Sequence, residues 1–280
     1  MKTIAALQAW DNFSEYYSNQ IKKIIAPEYE MTVTYNQDSD YLNQFDIVWS
    51  FFPQFPKEGT SVKKVVKNFW EPHEMGWPRG KVNVASSLYT YRRLLKGTPN
   101  ALYAPLGVNI NHFSPKSFLD GKVVVGWCGE AANRRKQFDL LKETMGTIDS
   151  IVFEPNITVN KGGHLLGKYK TIDEMSNYYN DIDIYVCSSA GEGFGLPLLE
   201  ASACGRPVVT FDVGIAHELK HEGAGVIIVD TFLELKEAVT KLANDKERIK
   251  MLGEKSYKTV LQNWQWHHCR NHWLRVFNSI

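Results

Sequence analysis

The chain has 280 residues, 44% of them hydrophobic, and a formal net charge of +1. This is an ordinary globular composition with room for two modest domains. The balanced charge excludes a general nucleic-acid binder, which carries a basic excess, and no run approaches the ~20 apolar residues of a membrane span.

In chain order, Met1 to Trp10 is too short and too soon followed by Asp11 to be a signal peptide, and it reads as a first β-strand. Further strands are predicted near 31–35, 46–51, 65–70, 82–85 and 101–104, with helices near 13–24 and 87–96. The turn Ala9-Trp10-Asp11-Asn12-Phe13-Ser14 contains no glycine. Pro105, Pro115 and the polar residues between them read as a linker. The alternation then restarts, with strands near 122–127, 150–154, 183–187, 207–211 and 226–229. Helices are expected near 135–145, 172–179, 197–204, 231–243 and 246–261. A last helix near 265–278 carries Trp266, Trp273 and Phe277 on one face. Strands alternating with helices predict an α/β protein of two Rossmann-like domains with a cleft between them, binding ligands at the carboxyl ends of parallel strands. Cys128, Cys187, Cys204 and Cys269 show no CxxC spacing and read as reduced core thiols of a cytoplasmic protein.

The densest chemistry lies in Ser188-Ser189-Ala190-Gly191-Glu192-Gly193-Phe194-Gly195-Leu196-Pro197, which follows the apolar run Ile184–Cys187. Pro197 sits where a helix begins and a missing N–H costs little. The first N–H groups of a helix have no intrahelical acceptor, and glycines let a ligand approach them. Such a turn suits an anion, a diphosphate in particular. Glu192 in the turn and Glu200 in the helix are better suited to accept sugar hydroxyls than to meet phosphate. The plain alternatives are a solvated loop acid for Glu192 and a helix-surface acid for Glu200. The apolar neighbours Leu198, Leu199, Ala201 and Ala203 imply that Glu200 needs a partner.

Two glutamates separated by seven residues, with Gly-Phe-Gly-Leu-Pro between them, resemble the signature of retaining GT-B glycosyltransferases of family 4. The resemblance extends through Ala201–Val209 and back to Tyr103–Asn109 and His112–Pro115, and it is thin before residue 101. It implies a GT-B fold: a short acceptor-side domain over 1–106, a nucleotide-sugar domain over 107–264, and a C-terminal helix over 265–280 bracing the first domain. It implies transfer of a sugar from a UDP- or GDP-linked donor to a carbohydrate, lipid-linked or other hydroxyl acceptor. No cofactor and no essential metal are implied. By resemblance, Glu192 contacts the donor sugar, Gly193, Phe194, Gly195 and Leu196 hold sugar and diphosphate, and Glu200 accepts ribose hydroxyls.

Asn133-Arg134-Arg135-Lys136 precedes an expected helix start, where the dipole disfavours cations. An exposed basic turn is the plain reading, and a pyrophosphate clamp the functional one. In the family an Arg and a Lys form that clamp. The Lys maps onto Lys136; the usual Arg position holds Glu130, so Arg134 or Arg135 must substitute. His73, within Phe69–Trp77, matches the family's acceptor-side histidine, against the alternative of an exposed loop residue. Asp38-Ser39-Asp40 and Asp181-Ile182-Asp183 have the spacing of metal-binding triplets, but no metal site is assigned to them. His267, His268, Cys269 and His272 lack a supporting CxxC or acidic partner and read as a helix face. Tyr89, Tyr91, Arg92, Arg93 and Lys96 form a basic aromatic helix, a solvated face or a peripheral membrane contact. The competing readings are a non-catalytic nucleotide- or carbohydrate-binding protein and a GT-B-type sugar-nucleotide epimerase. Oligomeric state stays open.

Overall fold

Ile4-Ala5-Ala6-Leu7 is apolar without alternation, the pattern of a strand buried on both faces. In the computed structural model, which describes residues 1–8, 12–50, 62, 65–69, 79–98, 100–118, 120–161, 164–166 and 172–280, this run is fully buried. It lies in β1 (Lys2–Leu7), followed by α1 (Asn12–Ile25), β2 (Tyr29–Thr34), α2 (Ser39–Leu42), β3 (Ile47–Ser50), β4 (Val65–Phe69), β5 (Val82–Ala85), α3 (Leu88–Leu95) and β6 (Ala101–Tyr103). All six strands are parallel, in the order β2-β1-β3-β4-β5-β6. Two short caps locate helix starts: Asp38 accepts from Tyr41 N at α2 and Ser87 from Thr90 N at α3.

The second run of elements comprises β7 (Val123–Glu130), α4 (Phe138–Met145), β8 (Ile151–Lys161), β9 (His164–Leu166), α5 (Ile172–Asn180), β10 (Ile184–Cys187), α6 (Leu196–Ala203), β11 (Val208–Thr210), α7 (Ala216–His221), β12 (Val226–Ile228), α8 (Phe232–Ala243) and α9 (Lys246–Asn263). Their sheet order is β12-β11-β10-β7-β8-β9, parallel except for β9. Val125 and Trp127 of β7 pack with Phe138 and Leu141 of α4 and Leu235 and Val239 of α8 in one apolar core. The last helix, α10 (Trp266–Asn278), returns to the first unit: the compact units are Met1–Gly107 with Trp266–Ile280, and Val108–Gln265.

An aromatic cluster holds α10 in the first unit. The Trp273 and Trp49 rings lie 5.3 Å apart edge to face, Trp273 stacks on Phe277 at 6.0 Å, and Trp266 meets Tyr17 at 5.9 Å. Trp273 Nε1 donates to Pro105 O at 2.9 Å, and Tyr29 OH to Asn278 Oδ1 at 2.7 Å. Arg270 and Glu28 form an ion pair.

Among the described residues the elements follow the predicted alternation, with the additions α2, α7 and β9. Each is short, below the length at which periodicity speaks. The single helix expected over 135–145 is broken. Arg134–Lys136 is a 3₁₀ turn, and Gln137, at φ 50, separates it from α4.

The four cysteines are buried thiols outside any disulfide. Burial pushes the Cys128 thiol up to about 11 and Cys204 and Cys269 to about 12. A raised folded-state pKa favours the neutral thiol, so this contribution is complete below the unfolded value of about 8.5 and is lost as pH rises through the folded values. We expect folded protein to show no thiolate absorbance at pH 9 and its urea midpoint to fall steeply above that pH. Full thiolate absorbance at pH 9 without unfolding would contradict the buried thiols.

Candidate functional site

In the second sheet the strand order reverses between β7 and β10: β8 lies on one side of this pair, β11 and β12 on the other. The connections from β7 and β10 diverge there and leave a crevice at the strand carboxyl ends. Lys136 follows β7 and Glu192 follows β10. In the first sheet the corresponding reversal lies between β1 and β3; residues 9–11 and 51–61, which follow those strands, are outside the described residues.

After β7, Asn133 caps the 3₁₀ turn by accepting from Arg135 N at 3.1 Å. This turn is tied to the loop after β10 twice: Ala190 N donates to Arg135 O at 2.8 Å and Ser188 Oγ to Lys136 O at 2.6 Å. Lys136 is thereby aimed at the glycine turn, where its Nζ donates to Glu192 Oε1 at 2.5 Å. Both side chains are largely buried, 21% and 13% exposed. Burial alone would lower the Lys136 pKa; the Glu192 carboxylate and the nearby Cys187 and Cys128 outweigh it and hold the pKa above the ordinary lysine value. Lys136 is therefore a cation at neutral pH. A small cavity beside the pair, with room for about one water, is lined by Cys128, Lys136, Tyr185, Cys187, Glu192 and Gly195.

The turn itself is held by backbone. Gly195, at φ 85, is the N-cap of α6, and a Cβ there would stand 2.8 Å from Leu198 Cδ1. Pro197 occupies the first turn of α6. Gly214, at φ 54, passes so close beneath the turn that a Cβ would stand 2.2 Å from Phe194 O. Ile215 N donates to that same carbonyl at 2.9 Å. The Phe194 ring is buried against Trp264, with centroids 6.1 Å apart. Gly193 and Gly195 are buried and Leu196 is half-buried.

Glu200 lies in α6, half-buried, and its Oε2 accepts from Tyr179 OH at 2.8 Å. Tyr179 is wholly buried at the end of α5. Cys128 Sγ lies 3.5 Å from both Tyr179 OH and Tyr185 OH. Burial raises both tyrosine pKa values well above the ordinary range, with the neighbouring Cys128 adding to it. Sequence reading did not identify Tyr179, Tyr185, Cys128 or Gly214 as part of this region. Gly214 alone carried a signal, a glycine soon after a strand.

Of the other candidates, Arg134 is exposed and Arg135 half-buried, and Glu130 is half-buried at the end of β7. His73 lies outside the described residues. Asp38 serves as a helix cap, and Asp183 Oδ2 accepts from Val124 N at 2.8 Å. Among the described residues no group of three or more His, Cys, Asp and Glu side chains could hold a metal. The His267 and His268 rings lie 3.9 Å apart, and His272 meets Tyr103 edge-on. On α3 the Arg93 guanidinium covers the Tyr89 ring at 3.7 Å. No helix among the described residues is long and apolar enough to cross a membrane.

Residues 122–245 match the family described as Glycosyl transferases group 1. The chain is 28% identical over 199 residues to a probable sucrose-phosphate synthase of Thermosipho melanesiensis, a match covering 62% of this chain and 46% of the relative. The chain thus spans less than half the length of the curated relatives it matches. The fold is similar to that of sucrose-phosphate synthase from Thermosynechococcus elongatus, with a TM-score of 0.80 at 12% identity over 100% of this chain and 99% of that one. It is also similar to Anabaena HepE, solved in complex with UDP-glucose, with a TM-score of 0.74 at 12% identity over the whole of both chains. The architecture is GT-B: two parallel-sheet α/β domains, the second carrying a Glycosyl transferases group 1 match.

A glycine-specific contact under the turn sets a stability test. Gly223 is also left-handed, at φ 99, but a Cβ there would meet nothing within 4 Å. Gly223→Ala should cost about 1–2 kcal/mol from backbone strain alone, and Gly214→Ala clearly more, because it adds a collision with the Phe194 carbonyl. Equal urea midpoints for the two variants would show that the turn yields freely.

Proposed function

We propose that the chain is a retaining glycosyltransferase that moves a sugar from a UDP- or GDP-linked donor to a hydroxyl of a carbohydrate or lipid-linked acceptor, without an essential metal or cofactor. The observation that carries this reading is the Lys136–Glu192 pair at the reversal of the second sheet, above the glycine turn that opens α6. The group 1 match over 122–245 supports it independently.

In the proposed reaction the bond from the sugar's anomeric carbon to the diphosphate oxygen breaks and a bond to the acceptor oxygen forms. Negative charge grows on the leaving diphosphate as the sugar becomes oxocarbenium-like. Lys136 supplies a fixed positive charge against it, and the N–H groups of Phe194, Gly195 and Leu196 at the helix start supply dipoles that need no reorganisation. Arg134 or Arg135 completes the clamp. The acceptor proton passes to the leaving phosphate on the same face, which gives retention. Glu192 accepts hydroxyls of the donor sugar and orients Lys136. Glu200 accepts ribose hydroxyls, and His73 serves the acceptor side. The reaction takes place in the cytoplasm, and the basic face of α3 offers a peripheral membrane contact.

Lys136→Ala and Glu192→Ala should each lower transfer by about a hundredfold or more, the scale of losing one preorganised charge contact. His73→Ala should lower transfer while leaving nucleotide affinity within about tenfold. Nucleoside diphosphate release measured with and without added acceptor checks the class. Release only with acceptor is expected. Tight binding without release would favour a binding protein, and sugar isomerisation without acceptor an epimerase.

Transfer should also survive exhaustive treatment with EDTA. Loss of activity with recovery on Mn²⁺ would overturn the metal-independent reading.

A further inference from the structure

Tyr179, Cys128 and Tyr185 form a buried polar chain that ends on Glu200. None of the three was needed for the chemistry above. A phenol has one proton to give. Burial keeps both tyrosines protonated at neutral pH, and the Cys128 thiol, pushed up to about 11, is protonated as well. Glu200 Oε2 can only accept while ionised, so the Tyr179 proton points to it. The Tyr179 oxygen is then left to accept, and Cys128 S–H is its donor. The Cys128 sulfur in turn accepts from Tyr185 O–H. Three donors thus run in one direction, Tyr185 to Cys128 to Tyr179 to Glu200.

Four packed elements anchor this chain. Cys128 is on β7, Tyr185 on β10, Tyr179 on α5 and Glu200 on α6. The Tyr179 ring is packed against Phe113 at 6.1 Å, Tyr178 at 5.5 Å and Tyr185 at 5.7 Å. A long, half-buried glutamate side chain has several rotamers, and fixing one costs entropy. A rigid donor on Oε2 selects one rotamer before any ligand arrives.

We propose that Tyr179, held by Cys128 and Tyr185, is a positioning residue that orients Glu200 and so sets preference for ribose over deoxyribose in the nucleotide. This rests on the reading of Glu200 as the ribose-hydroxyl acceptor. Tyr179→Phe keeps the ring and its packing but removes the donor. Glu200 then loses the donor that Tyr179 places on its Oε2.

Titration calorimetry with UDP, 2′-deoxy-UDP, GDP and 2′-deoxy-GDP tests the proposal on wild type, Tyr179→Phe, Cys128→Ala and Glu200→Gln, each with its Tm. For the base that binds, Tyr179→Phe should weaken the ribonucleotide about tenfold, the scale of a hydrogen bond to a charged group, and the deoxynucleotide by less than about twofold. Cys128→Ala should shift the ratio the same way to a smaller extent, and it stands in for Tyr179→Phe if that variant fails to fold. A purely structural role would lower Tm and weaken both nucleotides alike, and that outcome overturns the proposal. An unchanged ratio in both variants, with a changed ratio in Glu200→Gln, also overturns it while leaving the ribose reading of Glu200 intact. An unchanged ratio in Glu200→Gln removes the ribose reading itself, and the proposal with it.

Discussion

The reversal of strand order between β7 and β10 is the constraint on which the rest of the candidate site depends. Parallel strands require crossover connections, and at the reversal two successive crossovers pass to opposite sides. The 3₁₀ turn after β7 and the glycine turn after β10 therefore stand side by side without competing for space. Two backbone carbonyls, those of Arg135 and Lys136, accept bonds from the loop that leads to Glu192. The Lys136–Glu192 pair is a consequence of this stitching, since neither long side chain could hold the geometry alone at modest entropic cost.

In the second domain, burial and neighbouring charge fix the protonation of two sets of groups. Lys136 keeps its charge because the Glu192 carboxylate offsets its burial. The tyrosines and thiols beneath keep their protons because burial penalises their anions. Arg206, wholly buried at the end of the α6 turn, is treated differently. Its guanidinium donates to Lys116 O and Asn180 Oδ1 and lies over the Phe118 ring at 4.4 Å. Burial lowers its pKa, but an arginine so far above neutrality remains charged. It ties the segment after the linker to α5 and to the start of β11, the frame from which Tyr179 is hung.

The first unit draws its integrity from an element remote in sequence. Trp49 of β3 meets Trp273 and Phe277 of α10, more than two hundred residues later. The Trp273 N–H on Pro105 O satisfies the polar atom of that buried indole. A local hydrophobic pattern can mark Trp266, Trp273 and Phe277 as one helix face, but not what that face covers.

Local patterns in the sequence therefore determined the fold class, most strand and helix positions, and the glycine turn opening α6. Apolar runs, a proline at a helix start and glycines at sharp turns are signals carried by neighbouring residues, and they survive without tertiary context. The break at Gln137 and the short α2, α7 and β9 were not legible, because a few residues give no periodicity. Only the tertiary structure decided that β7 lies beside β10, that Lys136 meets Glu192 from 56 positions away, that Gly214 passes under Phe194, and that Tyr179 donates to Glu200. Each of these depends on sheet order and on close packing between distant segments. The energy of such contacts depends on which surfaces are brought together, and sequence spacing does not encode that.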